Sequence, residues 1–174
     1  MQILDSGERR QFNSGAVRDI QIGKGRADLL PLKEVSDMLL PHPQDKESPL
    51  VQIDLFMKSG DTKYLNEAVR LFIKNHTEFS APAFMLEVSK HYEQGAQKYG
   101  ERNWEKGIPL HCYIDSGVRH FLKHIDRKAE EAHDRAFVWN MLGAVWTVNN
   151  RPDCIDIPFE LLGKGSVNKV DKKK

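Results

Sequence analysis

The segment YIDSGVRHFLKHI, residues 113–125, constrains the fold more than any other. Ile114, Val118, Phe121, Leu122 and Ile125 recur at three- and four-residue steps, which puts them on one stripe of a helix. Such a stripe needs apolar partners, and the chain supplies several. Leu65, Val69, Leu71 and Phe72 repeat near the same interval in DTKYLNEAVRLFIKNH, with Asp61 placed to cap it. SAPAFMLEVSKHYEQGAQKYG opens on Ser80 as a cap, carries Pro82 in its first turn, and aligns Phe84, Met85, Val88, Tyr92 and Ala96. LKEVSDMLL reads as a short helix ended by PHPQD, and SPLVQIDLFMK as another. A last long helix is expected from about Glu130 to about Thr147, where NNRPD breaks it. No alternating strand pattern and no repeat competes. The predicted fold class is all-α, a helical bundle.

The rest of the chain sets the organisation. Residues 1–31, rich in glycine and charge without periodicity, read as an irregular Gly/basic arm. Residues 32–162 form the expected all-α catalytic domain, and residues 163–174 a mobile basic tail. Charged residues make up 29% of the chain, yet the formal net charge is only +1, which argues against a nucleic-acid-coating protein. The most apolar run, AFVWNMLGAVWTV, is too short to span a bilayer and contains Asn140, so no membrane role is expected. With only Cys112 and Cys154, in no metal-type spacing, and no leader segment, the chain reads as cytoplasmic with free thiols.

Chemistry gathers in RHFLKHIDRKAEEAHDRAFVWN. On the last expected helix, Glu130, Glu131 and Asp134 share a face with Phe137, Val138, Met141 and Val145. Two readings are open. The acids can project beyond the core, favour the positive helix terminus and pair with Arg127, Lys128 or Arg135. Alternatively they converge with Glu93 of the earlier helix on Mg²⁺ or Mn²⁺, hard cations that prefer oxygen. His120 and His124 stand one turn apart and are either metal ligands or boundary residues. GKGRADLLP joins glycines with Lys24 and Arg26 but lacks the spacing of a nucleotide-binding Walker loop. QKYGERNWEKG collects Lys98, Tyr99, Arg102, Asn103 and Trp104 after a helix end, where they either contact a base or anchor the loop.

Three stretches, GAVRDIQIGKGRADLLP, HYEQGAQKYGERNWEKGIPLHCYIDSGVRHFLKH and EEAHDRAFVWNMLGAVWT, occur in one order. Together they resemble the phage and prophage family of dATP/dGTP diphosphohydrolases (N-terminal domain type). That family is linked to the all-α, MazG-like nucleoside triphosphate pyrophosphohydrolases. The resemblance runs from Gly15 to about Thr147, and residues from about Pro41 to Glu78 form a longer spacer than in short members. It implies a metal-dependent hydrolase that cleaves a deoxynucleoside triphosphate to the monophosphate, working as a dimer or tetramer in the cytoplasm (the host's, for a phage-encoded chain).

Carried over by position, Glu93 matches the acid of the family's E-x-G-A-x-K-Y-G motif. Glu131, His133 and Asp134 match its acidic segment, Arg119 and His120 its R-H pair, and Lys24, Arg26 and Asp28 its glycine-basic arm. The MazG pairing of Glu-x-x-Glu with Glu-x-x-Asp is half met, because Ala96 stands where a second Glu after Glu93 is expected. The assignment this yields places Glu93, Glu130, Glu131 and Asp134 at the metal, with Glu131, His133 and Asp134 catalytic. Lys24, Arg26, Lys98, Arg119 and His120 meet the triphosphate, and Tyr99, Asn103 and Trp104 the nucleoside. His124 and Lys128 are left to the surface. Two rivals stand beside it. One is an HD-type nucleotide phosphohydrolase using His120, His133-Asp134 and Asp153. The other is a nucleotide-binding protein without turnover.

Overall fold

A computed structural model describes residues 7–39 and 48–159. The expected PHPQD break and the 163–174 tail lie outside the described residues. Among those described, the fold is an all-α bundle with one small hairpin: α1 (Leu32–Leu39), α2 (Pro49–Ser59), α3 (Lys63–His76), α4 (Ala81–Tyr99), α5 (Leu110–Ile125) and α6 (His133–Asn150). No described helix is long and apolar enough to cross a membrane.

Local chemistry sets the helix ends. Pro49 opens α2, where its missing N–H costs nothing, and Gly60 closes it in the left-handed conformation at φ 72°, its N–H on the Phe56 carbonyl at 2.7 Å. Asp61 takes the Lys63 N–H at 3.0 Å at the head of α3, while Thr62 occupies the cap position itself. Pro82 lies in the first turn of α4, as expected.

The apolar stripes meet around Phe72, whose ring lies 4.5 Å from Phe137, 6.1 Å from Phe121 and 6.4 Å from Phe84, centroid to centroid. All four rings are fully buried, each contributing about 1.5–3 kcal/mol of transfer free energy. The helices α5 and α6 approach closely through two glycines. A Cβ at Gly143 would strike the Tyr113 ring, and one at Gly117 the Met141 methyl.

Two stretches depart from the expected outline. The arm is not irregular throughout. Arg9–Gln11 (β1) pairs antiparallel with Val17–Asp19 (β2), with Arg9 opposite Asp19, Arg10 opposite Arg18 and Gln11 opposite Val17. Strands of three residues show no readable alternation, and such a ribbon is marginal alone, so the bundle stabilises it. The second departure is that α6 begins at His133, not near Glu130. Arg127 adopts φ 55°, and the N–H groups of Arg127 and Lys128 return to the carbonyls of His124 and Lys123, both at 3.0 Å. This turn closes α5 and leaves Glu130 and Glu131 in the connection rather than on a face of α6.

Candidate active site

A cavity of about 450 Å³ lies between the hairpin, the loop after it, the end of α4, the 3-10 turn Asn103–Lys106, and helices α5 and α6. His120 from α5 and Glu131 from the connection line it, and His133 from the first turn of α6 stands beside them. Each offers a ligand atom within 4.8 Å of the other two. His120 Nδ1 and His133 Nδ1 are 3.0 Å apart. Burial holds the His120 imidazole well below its usual range, the neighbouring His133 adding to the effect, and burial lowers His133 as well. Both rings are therefore neutral near pH 7, with lone pairs available to a cation. Burial pushes the Glu131 carboxyl up, and no described side chain or backbone group hydrogen-bonds it. A half-buried carboxylate without a partner, beside two neutral imidazoles, has the chemistry of a divalent-cation site.

The remaining expected metal ligands, Glu130, Asp134 and Glu93, are not part of this three-residue group, although Glu130 borders it. Glu130 is exposed, with Oε1 on Lys123 Nζ at 3.0 Å and 3.3 Å from His133 Nε2; its own backbone N–H and Lys123 bring its pKa to about 2. Asp134 Oδ1 takes the Arg135 N–H at 2.8 Å at the head of α6, outside the three-residue cluster. Glu93 is exposed: Tyr92, Ala96 and Tyr99 turn the lining stripe of α4 to the cavity, and Glu93 stands one residue off it. Asp153, invoked by the HD-type reading, pairs with Arg151 at 2.6 Å in a different part of the fold.

Of the residues expected to meet substrate, Lys24, Tyr99, Asn103, Trp104, Arg119 and His120 line the cavity. Several already have structural partners. The Asn103 amide spans β2, accepting from Val17 N–H at 3.0 Å and donating to the Val17 carbonyl at 2.9 Å. Its use is therefore to fasten the hairpin. Lys98 Nζ and Tyr99 Oη donate to the two oxygens of Asp19, at 3.0 and 2.8 Å. Arg119 forms an ion pair with the buried Asp115 and donates through Nε to the Lys24 carbonyl at 3.2 Å. Arg26 lies outside this cavity, forked onto Asp28 at 2.7 and 2.5 Å. Trp104 packs edge-on against Trp146 at 4.9 Å and Tyr92 at 5.9 Å, and with Tyr92 and Trp139 it gives the cavity an aromatic lining.

Other lining residues had no separate sequence signal. Arg18 on β2 donates through Nη2 to Asn140 Oδ1 at 2.8 Å and lies over the Tyr113 and Trp139 rings. Asp115 gathers Arg119, the Gln21 amide at 2.9 Å and the Ala27 N–H at 2.7 Å, which seats the post-hairpin loop on α5. His91, buried beside Trp139, has its pKa lowered to about 4, chiefly by burial. The only available signal for Arg18 was its place inside GAVRDIQIGKGRADLLP, a motif read for its glycines and for Lys24 and Arg26.

Comparison with known proteins adds one finding. The model of a family described as dATP/dGTP diphosphohydrolase, N-terminal, matches residues 57–156, which covers α3 to α6 and every member of the His120–Glu131–His133 cluster. No curated protein and no solved structure matches the chain.

Proposed function

The chain belongs to the dATP/dGTP diphosphohydrolase, N-terminal, family, and on that premise we propose that it hydrolyses a purine deoxynucleoside triphosphate to the monophosphate in the cavity described above. The observation that carries this reading is one cavity lined both by His120 and Glu131, two members of the His120–Glu131–His133 cluster, and by the aromatic side chains of Tyr92, Trp104 and Trp139. A volume of about 450 Å³ suits a nucleotide-sized ligand.

His120, Glu131 and His133 would hold the divalent ion. Two imidazoles and one carboxylate suit Mn²⁺ better than Mg²⁺, which prefers a shell of oxygens. When bound, such an ion supplies a water of lowered pKa and neutralises phosphoryl charge. The protein does the rest. Trp104, Tyr92 and Trp139 offer apolar faces to the base. Lys24 and Arg119 line the same cavity and would meet the triphosphate, and Asp115 fixes Arg119 so that less side-chain freedom is lost on binding. Asp19, holding both Lys98 and Tyr99, keeps the hairpin closed over the cavity.

The test incubates purified protein with each of the four deoxynucleoside triphosphates in Mn²⁺ and separately in Mg²⁺, separating products by ion exchange. The expected products are deoxyadenosine or deoxyguanosine monophosphate, faster in Mn²⁺. Absence of monophosphate from all four substrates in both metals contradicts the reading. If nucleotide then raises the melting temperature without turnover, the site is a binding site only.

A further inference from the structure

Arg18 is the one guanidinium in the cavity wall that combines a buried unpartnered donor with stacking on two rings. Its carbon lies 5.2 Å from the Tyr113 ring centroid and 5.5 Å from that of Trp139, and Nη2 is fixed on Asn140 at 2.8 Å. Nη1 is buried and has no hydrogen-bond partner among the described residues. No carboxylate among the described residues pairs with it. Four other cations near the cavity contrast with this: Lys98 is held by Asp19, Arg119 by Asp115, Arg102 by Glu105 and Lys123 by Glu130. Lys24 also lines the cavity, but on a flexible stem with no ring stacked on it and no side-chain hydrogen bond among the described residues to fix it.

The hairpin register sharpens the point. Arg10 is directly opposite Arg18 in the antiparallel pair, and it too lines the cavity with a buried, unpartnered Nε. Among the described residues the Arg10 side chain otherwise donates to Gln21 Oε1 at 2.8 Å and Cys112 Sγ at 3.0 Å, neither of which is a carboxylate. Like charges directly opposite in a ladder repel, and an unpaired buried cation is expensive. Arginine cannot shed its proton to escape that cost. The charge of Arg18 also reaches His120 and His91, where it disfavours protonation, and all three residues line the same cavity.

We propose that Arg18, reinforced by Arg10, is the anion-binding residue of the cavity, its free Nη1 donating to a phosphoryl oxygen of the substrate's polyphosphate chain. This rests on the nucleotide reading for the identity of the ligand. The stacked rings and Asn140 fix the guanidinium plane before substrate arrives, so the phosphate meets a preorganised donor.

The test titrates full-length protein with inorganic tripolyphosphate in metal-free buffer, and separately with deoxyadenosine and deoxyguanosine, for wild type, Arg18→Gln and Arg18→Lys. Tripolyphosphate affinity is expected to fall at least tenfold in Arg18→Gln and less in Arg18→Lys, with nucleoside affinity within twofold of wild type. In turnover assays KM for the triphosphate is expected to rise by the same factor. Tripolyphosphate affinity within twofold of wild type in both variants overturns the assignment, as does a loss confined to the nucleosides. Should Arg18→Gln fail to fold, judged by circular dichroism, Arg18→Lys decides alone. It must then bind tripolyphosphate at least threefold more weakly. A wild type that binds tripolyphosphate through Arg18 but turns over no triphosphate refutes the hydrolase and leaves the anion site standing. Turnover unaffected by either variant does the reverse.

Discussion

His120 Nδ1 and His133 Nδ1 face each other at 3.0 Å across the junction of α5 and α6. That separation admits one hydrogen bond between neutral rings, one nitrogen donating and the other accepting, or a shared cation. Two imidazolium rings would oppose N–H to N–H. Burial, and for His120 also the neighbouring ring, holds both below the ordinary histidine range. Protons therefore compete with metal only under acid conditions. Mn²⁺ affinity, followed by electron paramagnetic resonance, is expected to stay level from about pH 8 down to the ordinary histidine pKa of about 6.5 and to weaken only below it. A decline already complete between pH 8 and 7 contradicts neutral, buried ligands.

The Asn103 amide on Val17 ties the hairpin to the bundle through the backbone of β2, beside the side-chain bonds of Arg18 and Asp19. Asn103→Ala strips partners from both the N–H and the carbonyl of Val17, at a cost of about 1–3 kcal/mol where those groups stay shielded from water. Urea denaturation should show the loss as a lower midpoint. Asn103→Asp should lose nearly as much, since a carboxylate accepts from the N–H but cannot donate to the carbonyl. An unchanged midpoint in both variants would show that the hairpin is held some other way.

Where α5 crosses α6, the two glycines should respond unequally to alanine. At Gly143 the added methyl meets the ring of Tyr113, which is fully buried and has nowhere to move. Gly143→Ala should destabilise by about 1–3 kcal/mol, as overpacking does. At Gly117 the obstacle is the Cε of Met141, the end of a flexible chain, so Gly117→Ala should cost less. Melting temperatures of the two variants check the order.

His91 makes acid stability a readout of burial. Its folded pKa is lowered to about 4, chiefly by desolvation, with Arg135 and Arg18 adding to the effect and Asp134 opposing it. An unfolded histidine binds its proton at about 6.5, so between those values the unfolded chain holds more protons and stability falls as pH is lowered. Above the unfolded pKa the contribution is fully present. His91→Gln, which cannot titrate, should flatten the decline in melting temperature below about pH 6.5. Identical slopes for wild type and variant would place His91 in water.

The bundle was legible because helical stripes are a local code. Ile114, Val118 and Phe121 announce a buried face whatever they pack against, and the structure buries all three. The site was only partly legible, because two of its parts depend on backbone turns. Glu131 reaches His120 because Arg127 closes α5 in a left-handed conformation, and nothing in DRKAEE marks an arginine for that role. Helical geometry carried past that turn grouped Glu131 with Glu130 and Asp134 instead. The imidazoles were visible as candidates, but pairing His120 with His124 by one-turn spacing hid its partner, His133, on the next helix. The sequence leaves Asn103 open between base contact and loop anchor; its amide is taken up by Val17 of β2, a strand too short to read from sequence, while the residue also lines the cavity. The thiols of Cys112 and Cys154 are free, in keeping with their spacing.

The proposed hydrolysis depends on Glu131, the carboxylate that joins two histidines at the cavity. The most direct measurement compares turnover of deoxyadenosine and deoxyguanosine triphosphates in Mn²⁺ by wild type, Glu131→Gln, Asp134→Asn and Glu93→Gln. Removal of the one charged ligand should lower kcat in Glu131→Gln by about a hundredfold or more, of the order seen when a key electrostatic group is lost. Asp134→Asn and Glu93→Gln, both outside the cluster, should stay within about tenfold of wild type, a difference of about 1.4 kcal/mol. Equal turnover by all four proteins, or a loss in Glu93→Gln larger than that in Glu131→Gln, contradicts it.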